Sequence, residues 1–204
     1  MEGIKAFLKR KNIEISAKRY GIDALGAMAQ GLFASLLIGT IINTVGTQFG
    51  IGFLTQAVVT VGSGEKAVAY TVGGLASAMS GPAMACAIGY ALQAPPLVLF
   101  SLITVGFASN ALGGAGGPLA VLFVAILAAE AGKAVSKETK IDILVTPLVT
   151  IFVGVALSAW WAPAIGKAAS SIGGIIMWAT ELQPFFMGIV VSVIIGVALT
   201  LPIS

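Results

Sequence analysis

A single carboxylate near the end of the chain is the side chain best placed to bind a polar solute. Glu181 has the apolar residues 175–178 on one side and 184–187 on the other. In such a setting a carboxylate is costly unless it faces water, a partner or a ligand. We therefore predict that Glu181 binds substrate. The alternative is that Glu181 marks the aqueous end of the last helix.

Three neutral amides complete the predicted site. Gln183 follows Glu181 by two residues, Asn110 precedes the glycine-rich turn Gly113–Pro118, and Gln56 lies in a Gly-interrupted apolar segment. Carboxylates and amides bind hydroxyl groups, and nearby aromatic rings cover the apolar face of a sugar. We expect these four side chains to contact a carbohydrate or another small polar solute. The turn is either a hinge between two helices or exposed backbone beside the substrate path.

The composition argues against several enzyme classes. The chain contains no His, which excludes His-dependent triads, His-containing zinc sites and phosphohistidine relays. The glycine-rich turn lacks the Gly-Lys-Ser/Thr ending of a P-loop. Cys86 lies deep in an apolar segment, which is typical of a packing residue. We expect no catalytic residue, no cofactor and no metal site.

The segments that must position these side chains are unusually apolar. Residues 67–129 include no charged side chain, 58% of the chain is hydrophobic, and its mean hydropathy is +1.04. Backbone groups in hydrocarbon must bond within the protein, so such segments are helical. The sequence predicts an all-α polytopic integral membrane protein, with about six to seven transmembrane helices plus a re-entrant or interfacial segment.

Hydropathy divides the chain into a basic amphipathic N-terminal segment, residues 1–23, and a membrane domain, residues 24–204. Short or re-entrant segments are predicted at 46–64 and 162–180. Full transmembrane spans are predicted at 24–45, 66–92, 97–112, 119–132, 143–161 and 184–201.

The distribution of charge predicts the orientation. Six of the eleven basic residues precede Gly21, which favours a cytoplasmic N-terminus rather than a nucleic-acid partner. The same rule places the charged loop Glu130–Asp142 on the side of the N-terminus. The number of crossings allows this most simply if segment 46–64 does not cross the membrane fully. The alternative is that 46–64 is a full span and that the charge bias of the later loops is weak. If its helix continues, Glu130 can pair with Lys133 three residues later.

Two stretches carry a family resemblance. Lys18–Phe33 and Glu181–Gly188, the latter continuing to Ser204, are similar to the membrane subunit (EIIC) of the bacterial phosphotransferase system, above all to the EIIC-like family that includes the perfringolysin O regulator protein. Members of that family are longer, and this sequence ends directly after an apolar segment. We therefore expect the chain to be the N-terminal part of a longer EIIC-like fold.

The resemblance implies a function. It implies a substrate-binding carboxylate at Glu181, a homodimer in the bacterial plasma membrane, and alternating access of a sugar-binding domain. It also implies that a separate cytoplasmic EIIB-type protein phosphorylates the sugar, so the chain itself is at most the permease component. Two alternatives stay open: a membrane sensor or regulator that keeps the EIIC fold without transport, and a transporter of another small solute.

Overall fold

The computed structural model describes residues 2–64 and 67–180, together with residues 188, 192, 193 and 196. Two antiparallel strands, β1 Val59–Val61 and β2 Val68–Tyr70, pair with Thr60 opposite Ala69. The helices of the described part are α1 Glu2–Arg10, α2 Lys18–Phe49, α3 Gly52–Thr55, α4 Val72–Ala78, α5 Ser80–Ala91, α6 Pro96–Gly113, α7 Gly117–Val135 and α8 Asp142–Thr180.

Close backbone approach joins α2 to the pair α4 and α5. A Cβ built on Gly31 would lie 2.6 Å from the carbonyl oxygen of Ala83, and one built on Gly39 would lie 2.5 Å from that of Gly73. Later residues of α2 therefore meet earlier residues of α4 and α5, and the two runs are antiparallel. Small residues at these crossings allow the close packing that is typical of membrane helices.

The remaining helices extend this up-and-down bundle. α6 and α7 are antiparallel arms joined by the 3₁₀ turn Gly114–Gly116, and Gly132 in the last turn of α7 packs on Val98 in the first turn of α6. α8 runs parallel to α6, with Gly154 against Val105. One end of the bundle carries the α1–α2, α5–α6 and α7–α8 connections; we call it the polar end. The opposite end, with β1, β2 and the 3₁₀ turn, is the far end.

Several helical runs are suited to cross a membrane. Lys18–Phe49, Pro96–Val135 and Asp142–Ile172 are long and apolar enough, and the bent pair α4 and α5 makes a fourth if it is one span. Pro96–Val135 folds back at its turn, and its arms of 18 and 19 residues are each about 27–29 Å long, close to the hydrocarbon thickness. The predicted total of six to seven spans is not reached within the described residues, and span 184–201 lies outside them.

Between α2 and α4 the chain forms more than helix. α2 continues to Phe49 and ends where Gly50 adopts a left-handed conformation (φ 62°), which caps the helix without a Cβ penalty. The single-turn α3 and the hairpin of β1 and β2 follow. The all-α prediction therefore holds for the bundle but missed this hairpin, whose Val-rich strands favour extended backbone.

The last described helix is longer than expected. α8 is continuous from Asp142 to Thr180 and passes through position 161, where the predicted span ends. Pro147 and Pro163 lie inside it. A proline removes one backbone donor, a loss that membrane helices tolerate when neighbouring groups compensate. The Trp160–Trp161 pair thus lies within a helix rather than at its end.

The buried apolar core lies where α2, α5, α6 and α7 meet. Its members are small or medium-sized side chains, which suits the close helix crossings. They include Met28, Met84, Ile88, Leu102, Val105, Val121 and Val124.

Candidate functional site

A break in one apolar run lies at the centre of the candidate site. α4 and α5 meet at an angle of 49° around Met79. Pro82 follows in the first turn of α5, where it has no amide hydrogen to offer the preceding turn. The side chain of Thr71 caps the start of α4 by accepting from the backbone N–H of Gly74 at 3.0 Å. Sequence therefore encodes both the start of the short helix and the bend after it.

Asn110 packs directly against this break. Its Nδ2 donates to Ser80 Oγ across a long 3.4 Å, and a Cβ on Gly81 would lie 2.6 Å from Asn110 Cβ. On its other side, a Cβ on Gly117 would lie 2.4 Å from Asn110 Oδ1. An amide offers two donor hydrogens and an accepting oxygen. Asn110 is half-buried and makes this single long hydrogen bond among the described residues. Its amide can therefore still donate to and accept from a ligand.

Small-molecule sites usually have volumes of about 300–1,000 Å³. An open cavity of about 570 Å³ lies beside the turn that follows Asn110. The turn backbone from Gly113 to Ala115 forms one wall, and α8 contributes Lys167, Ser170 and Ser171 to the other. Gly114 has φ 50° and is exposed, so backbone polar groups border the cavity. The turn therefore exposes backbone at its tip and also reverses the chain between α6 and α7.

The other predicted site residues lie elsewhere. Gln56 directly follows α3 and is exposed; α3 packs on α2 where Leu54 meets Gly46. Among the described residues no hydrogen bond joins the amides of Gln56 and Asn110, although both lie near the far end. Glu181 and Gln183 lie outside the described residues.

A second polar cluster lies at the polar end, where three helices terminate. A non-glycine residue in the left-handed conformation follows each of them: Asn12 after α1 (φ 54°), Gln93 after α5 (φ 55°) and Lys137 after α7 (φ 63°). Such residues close a helix but leave some of its last carbonyl oxygens without an intrahelical donor. Three negative helix ends therefore converge here.

Cations supply the missing donors. Lys133 Nζ donates to the carbonyl oxygens of Asn12 at 2.7 Å and Leu92 at 3.1 Å. Arg19 donates to the same Leu92 oxygen at 2.8 Å, and Lys11 donates to the carbonyl of Ser136. Positive charge at helix C-termini is favourable, and here the cations also donate to carbonyl oxygens that have no intrahelical donor.

One carboxylate balances the buried charge. Lys133, 1% exposed, lies 3.0 Å from Glu130 Oε2 and donates to Oε1 at 3.2 Å. Tyr20 donates its hydroxyl hydrogen to Oε1 at 3.1 Å. A buried ammonium is tolerated when it is paired and hydrogen-bonded in this way. The predicted pairing of Glu130 with Lys133 is confirmed.

Comparison with known proteins decides the family. The family model described as Phosphotransferase system, EIIC, matches residues 22–204. The chain belongs to the phosphotransferase system EIIC family. Curated proteins and solved structures give no match. The match places this EIIC protein in the phosphotransferase system and, with its apolar helices, in a membrane.

The EIIC match begins at residue 22, near the end of the N-terminal segment. Arg10, Lys11 and Asn12 precede it, whereas their partners in the α5–α6 and α7–α8 connections lie inside it. The sequence predicted a basic amphipathic segment here but not the contacts of these three residues with the bundle. Lys133, a basic residue in the last turn of an apolar helix, was the available signal.

Potential metal ligands are dispersed among the described residues. In this part of the chain no three Cys, Asp or Glu side chains are grouped to hold a metal ion. Cys86 is half-buried within α5. The far end combines a helix break, amide groups and a cavity, which is an arrangement for recognising a polar solute.

Proposed function

We propose that this EIIC protein is the permease component of a phosphotransferase-type sugar transport system and moves a carbohydrate by alternating access. The observation that carries the proposal is Asn110 at the break between α4 and α5, in a chain whose family match covers residues 22–204. Broken membrane helices are a recurring way for transporters to bring polar groups to a substrate.

We propose Glu181, Gln183, Asn110 and Gln56 as the sugar-binding side chains. The free bonding capacity of Asn110 supports its part, and the far-end cavity lies beside the turn that follows it. Amides and a carboxylate match the alternating donors and acceptors of sugar hydroxyls. In this proposal Gln56, exposed near the far end, contacts the sugar at the entrance.

The proposal also assigns the surroundings. The protein is a multi-pass homodimer in the bacterial plasma membrane, with its N-terminus and polar end in the cytoplasm, as the positive-inside rule favours. A separate EIIB-type protein carries the phosphoryl group. The absence of His from the sequence and the half-buried position of Cys86 support a chain that is not itself the carrier.

A binding measurement on the purified protein tests the proposed site. A panel of sugars and polyols is added to the detergent-solubilised protein and the melting temperature is followed. A ligand at a hundredfold excess over its Kd stabilises the folded state by about 2.7 kcal/mol. We expect a saturable shift with one class of sugar, and its loss in Asn110→Ala and Glu181→Gln.

The control for these variants is Gln48→Ala, which removes an exposed amide of α2 outside the proposed site. It should keep the full shift. If Asn110→Ala and Glu181→Gln melt cooperatively and bind with unchanged affinity, neither side chain belongs to the site. A flat response of the parent protein to the whole panel would contradict carbohydrate as the substrate class.

A sensor is the second candidate, and the N-terminal segment favours it. Residues 1–21 lie outside the EIIC match, yet this segment is bonded to two connections of the bundle. For a sensor, sugar binding occurs without uptake, and deletion of residues 1–17 changes a transcriptional response. An unchanged response after that deletion would count against the sensor.

A further inference from the structure

Three residues before α2 fasten the polar end of the bundle. We call Arg10, Lys11 and Asn12 the strap. Arg10 pairs with Glu138 at 2.7 Å, and Lys11 contacts the same carboxylate and the carbonyl of Ser136. These contacts tie the strap to the α7–α8 connection.

Asn12 ties the strap to the other connection. Its Nδ2 donates to Gln93 Oε1 at 2.6 Å in the α5–α6 loop, while its backbone oxygen accepts from Lys133 at 2.7 Å. Arg19 donates to Asn12 Oδ1 at 3.2 Å. One residue therefore bridges the end of α5, the end of α7 and the start of α2.

Polar bonds, not apolar packing, hold the strap. Among the described side chains, Tyr20 is the first along the chain that packs on the buried core, and Ala24 is the first fully buried member of that core. The hydrogen bond from Asn12 to Gln93 is exposed, so water competes for it. Lys11, in contrast, is only 8% exposed and holds the strap firmly to the α7–α8 connection. Segments with few buried apolar contacts open at a lower free-energy cost than the core.

The backbone at the strap is also held in a less favourable conformation. Asn12 and Gln93 both have positive φ, and their side chains bond to each other. Non-glycine residues in this region carry strain that the surrounding contacts must maintain. Release of the strap would remove the contacts that hold Asn12 in place.

A cavity lies beneath the strap. Its volume is about 370 Å³, and its walls are the strap on one side and the ends of α5 and α7 on the other. Gln93, Pro95, Lys133 and Ser136 belong to the opposite walls. The strap thus spans a space between two connections that would separate if the polar end opened.

We propose that the strap is a releasable lock on the polar end: it stays bonded to α7 and the α7–α8 connection, and the bond from Asn12 to Gln93 must break before the α5–α6 connection separates from them. The transport consequence rests on the proposed function. The lock itself concerns the movement of the strap and the two connections, and it is measured by cysteine labelling without transport. It lies outside the EIIC match, so it is a feature of this chain's N-terminal segment.

Reversible cross-linking tests the lock. The background is Cys86→Ser, which removes the sole cysteine. Asn12→Cys and Gln93→Cys are then joined with a short bis-methanethiosulfonate reagent that reductant cleaves. We expect sugar uptake to fall at least tenfold in the cross-linked protein and to recover after reduction. Asn12→Cys alone, treated with the same reagent, is the control and should keep its uptake.

A third cysteine measures opening without transport. Ser136 is 4% exposed beneath the strap, so Ser136→Cys in the same background reports opening through its labelling rate with a water-soluble maleimide. Cross-linking is performed first, and labelling should then be at least fivefold slower than in protein carrying Ser136→Cys without the cross-linked pair.

The two readouts separate the lock from the proposed function. If the reduced protein takes up no sugar but cross-linking slows labelling, the permease proposal fails and the lock stands. If cross-linking leaves the labelling rate unchanged, the strap does not control opening and the lock is wrong. Full uptake by fully cross-linked protein also overturns it.

Discussion

Replacement of the buried lysine at the polar end should be among the most destabilising single changes in this protein. Lys133→Met removes two hydrogen bonds to the carbonyl oxygens of Asn12 and Leu92, and it leaves Glu130 without its cation. Each charged hydrogen bond contributes about 1.5–3 kcal/mol, and removal of one partner of a buried ion pair costs about 3–5 kcal/mol. Because these contributions overlap, we expect a loss of about 3–5 kcal/mol rather than their sum.

The loss is measured as the change in denaturation midpoint of the purified protein in detergent. At roughly 2–4 °C per kcal/mol for a chain of this size, the melting temperature should fall by about 10 °C. Lys137→Met is the matched control, because Lys137 is an exposed lysine four residues later. Exposed substitutions of this kind usually change stability by less than about 0.5 kcal/mol.

A second variant separates the loss of charge balance from the loss of packing. Glu130→Gln in the Lys133→Met background removes the unpaired carboxylate, so the double variant should be more stable than Lys133→Met alone. The reasoning is refuted if Lys133→Met costs no more than Lys137→Met, or if Glu130→Gln makes it less stable.

Two further predictions address helix packing and pH. Gly106→Ala should lower the free energy of unfolding by about 1–3 kcal/mol, because the new Cβ would lie 2.3 Å from the carbonyl oxygen of Gly81. Gly26→Ala is the control and should not destabilise, since a Cβ there has nothing within 4 Å. Equal denaturation midpoints for the two variants would count against this helix packing. The hydrogen bond from Lys11 holds the pKa of Glu138 below its ordinary range. The stabilisation from that contact is therefore complete above about pH 4.3 and is lost as pH falls through the lower folded-state pKa; an acid titration of the midpoint should show a weaker dependence in Lys11→Met.

Sequence patterns predicted the parts of this fold that depend on local composition. The uncharged run 67–129 predicted membrane helices, and apolar helices fill most of that range. The three-residue spacing of Glu130 and Lys133 predicted a pair that the helix geometry does form. The charged loop 130–142 was expected on the same side as the N-terminus, and the contact of Arg10 with Glu138 joins the two.

The sequence did not predict features that depend on tertiary arrangement. Asn12 and Gln93 are separated by 81 positions, so their hydrogen bond could not be predicted locally. Their left-handed conformations bring the two side chains together only because two helix ends meet there. The predicted span 143–161 was bounded from local signals, whereas α8 continues through position 161 to Thr180. In the candidate site, the position of Asn110 before a glycine-rich turn was informative, but its contact with Ser80 required the fold.

Solute counterflow tests the proposed permease most directly. Proteoliposomes that contain the full chain are loaded with the sugar that stabilises the protein, diluted into a trace of the same sugar carrying a radiolabel, and sampled over time. A permease that exchanges sugar across the membrane accumulates label transiently above equilibrium, without any need for a phosphoryl carrier. We predict that accumulation, and its loss in Asn110→Ala. Accumulation no greater than in protein-free vesicles, by protein that still binds the sugar, would contradict the permease.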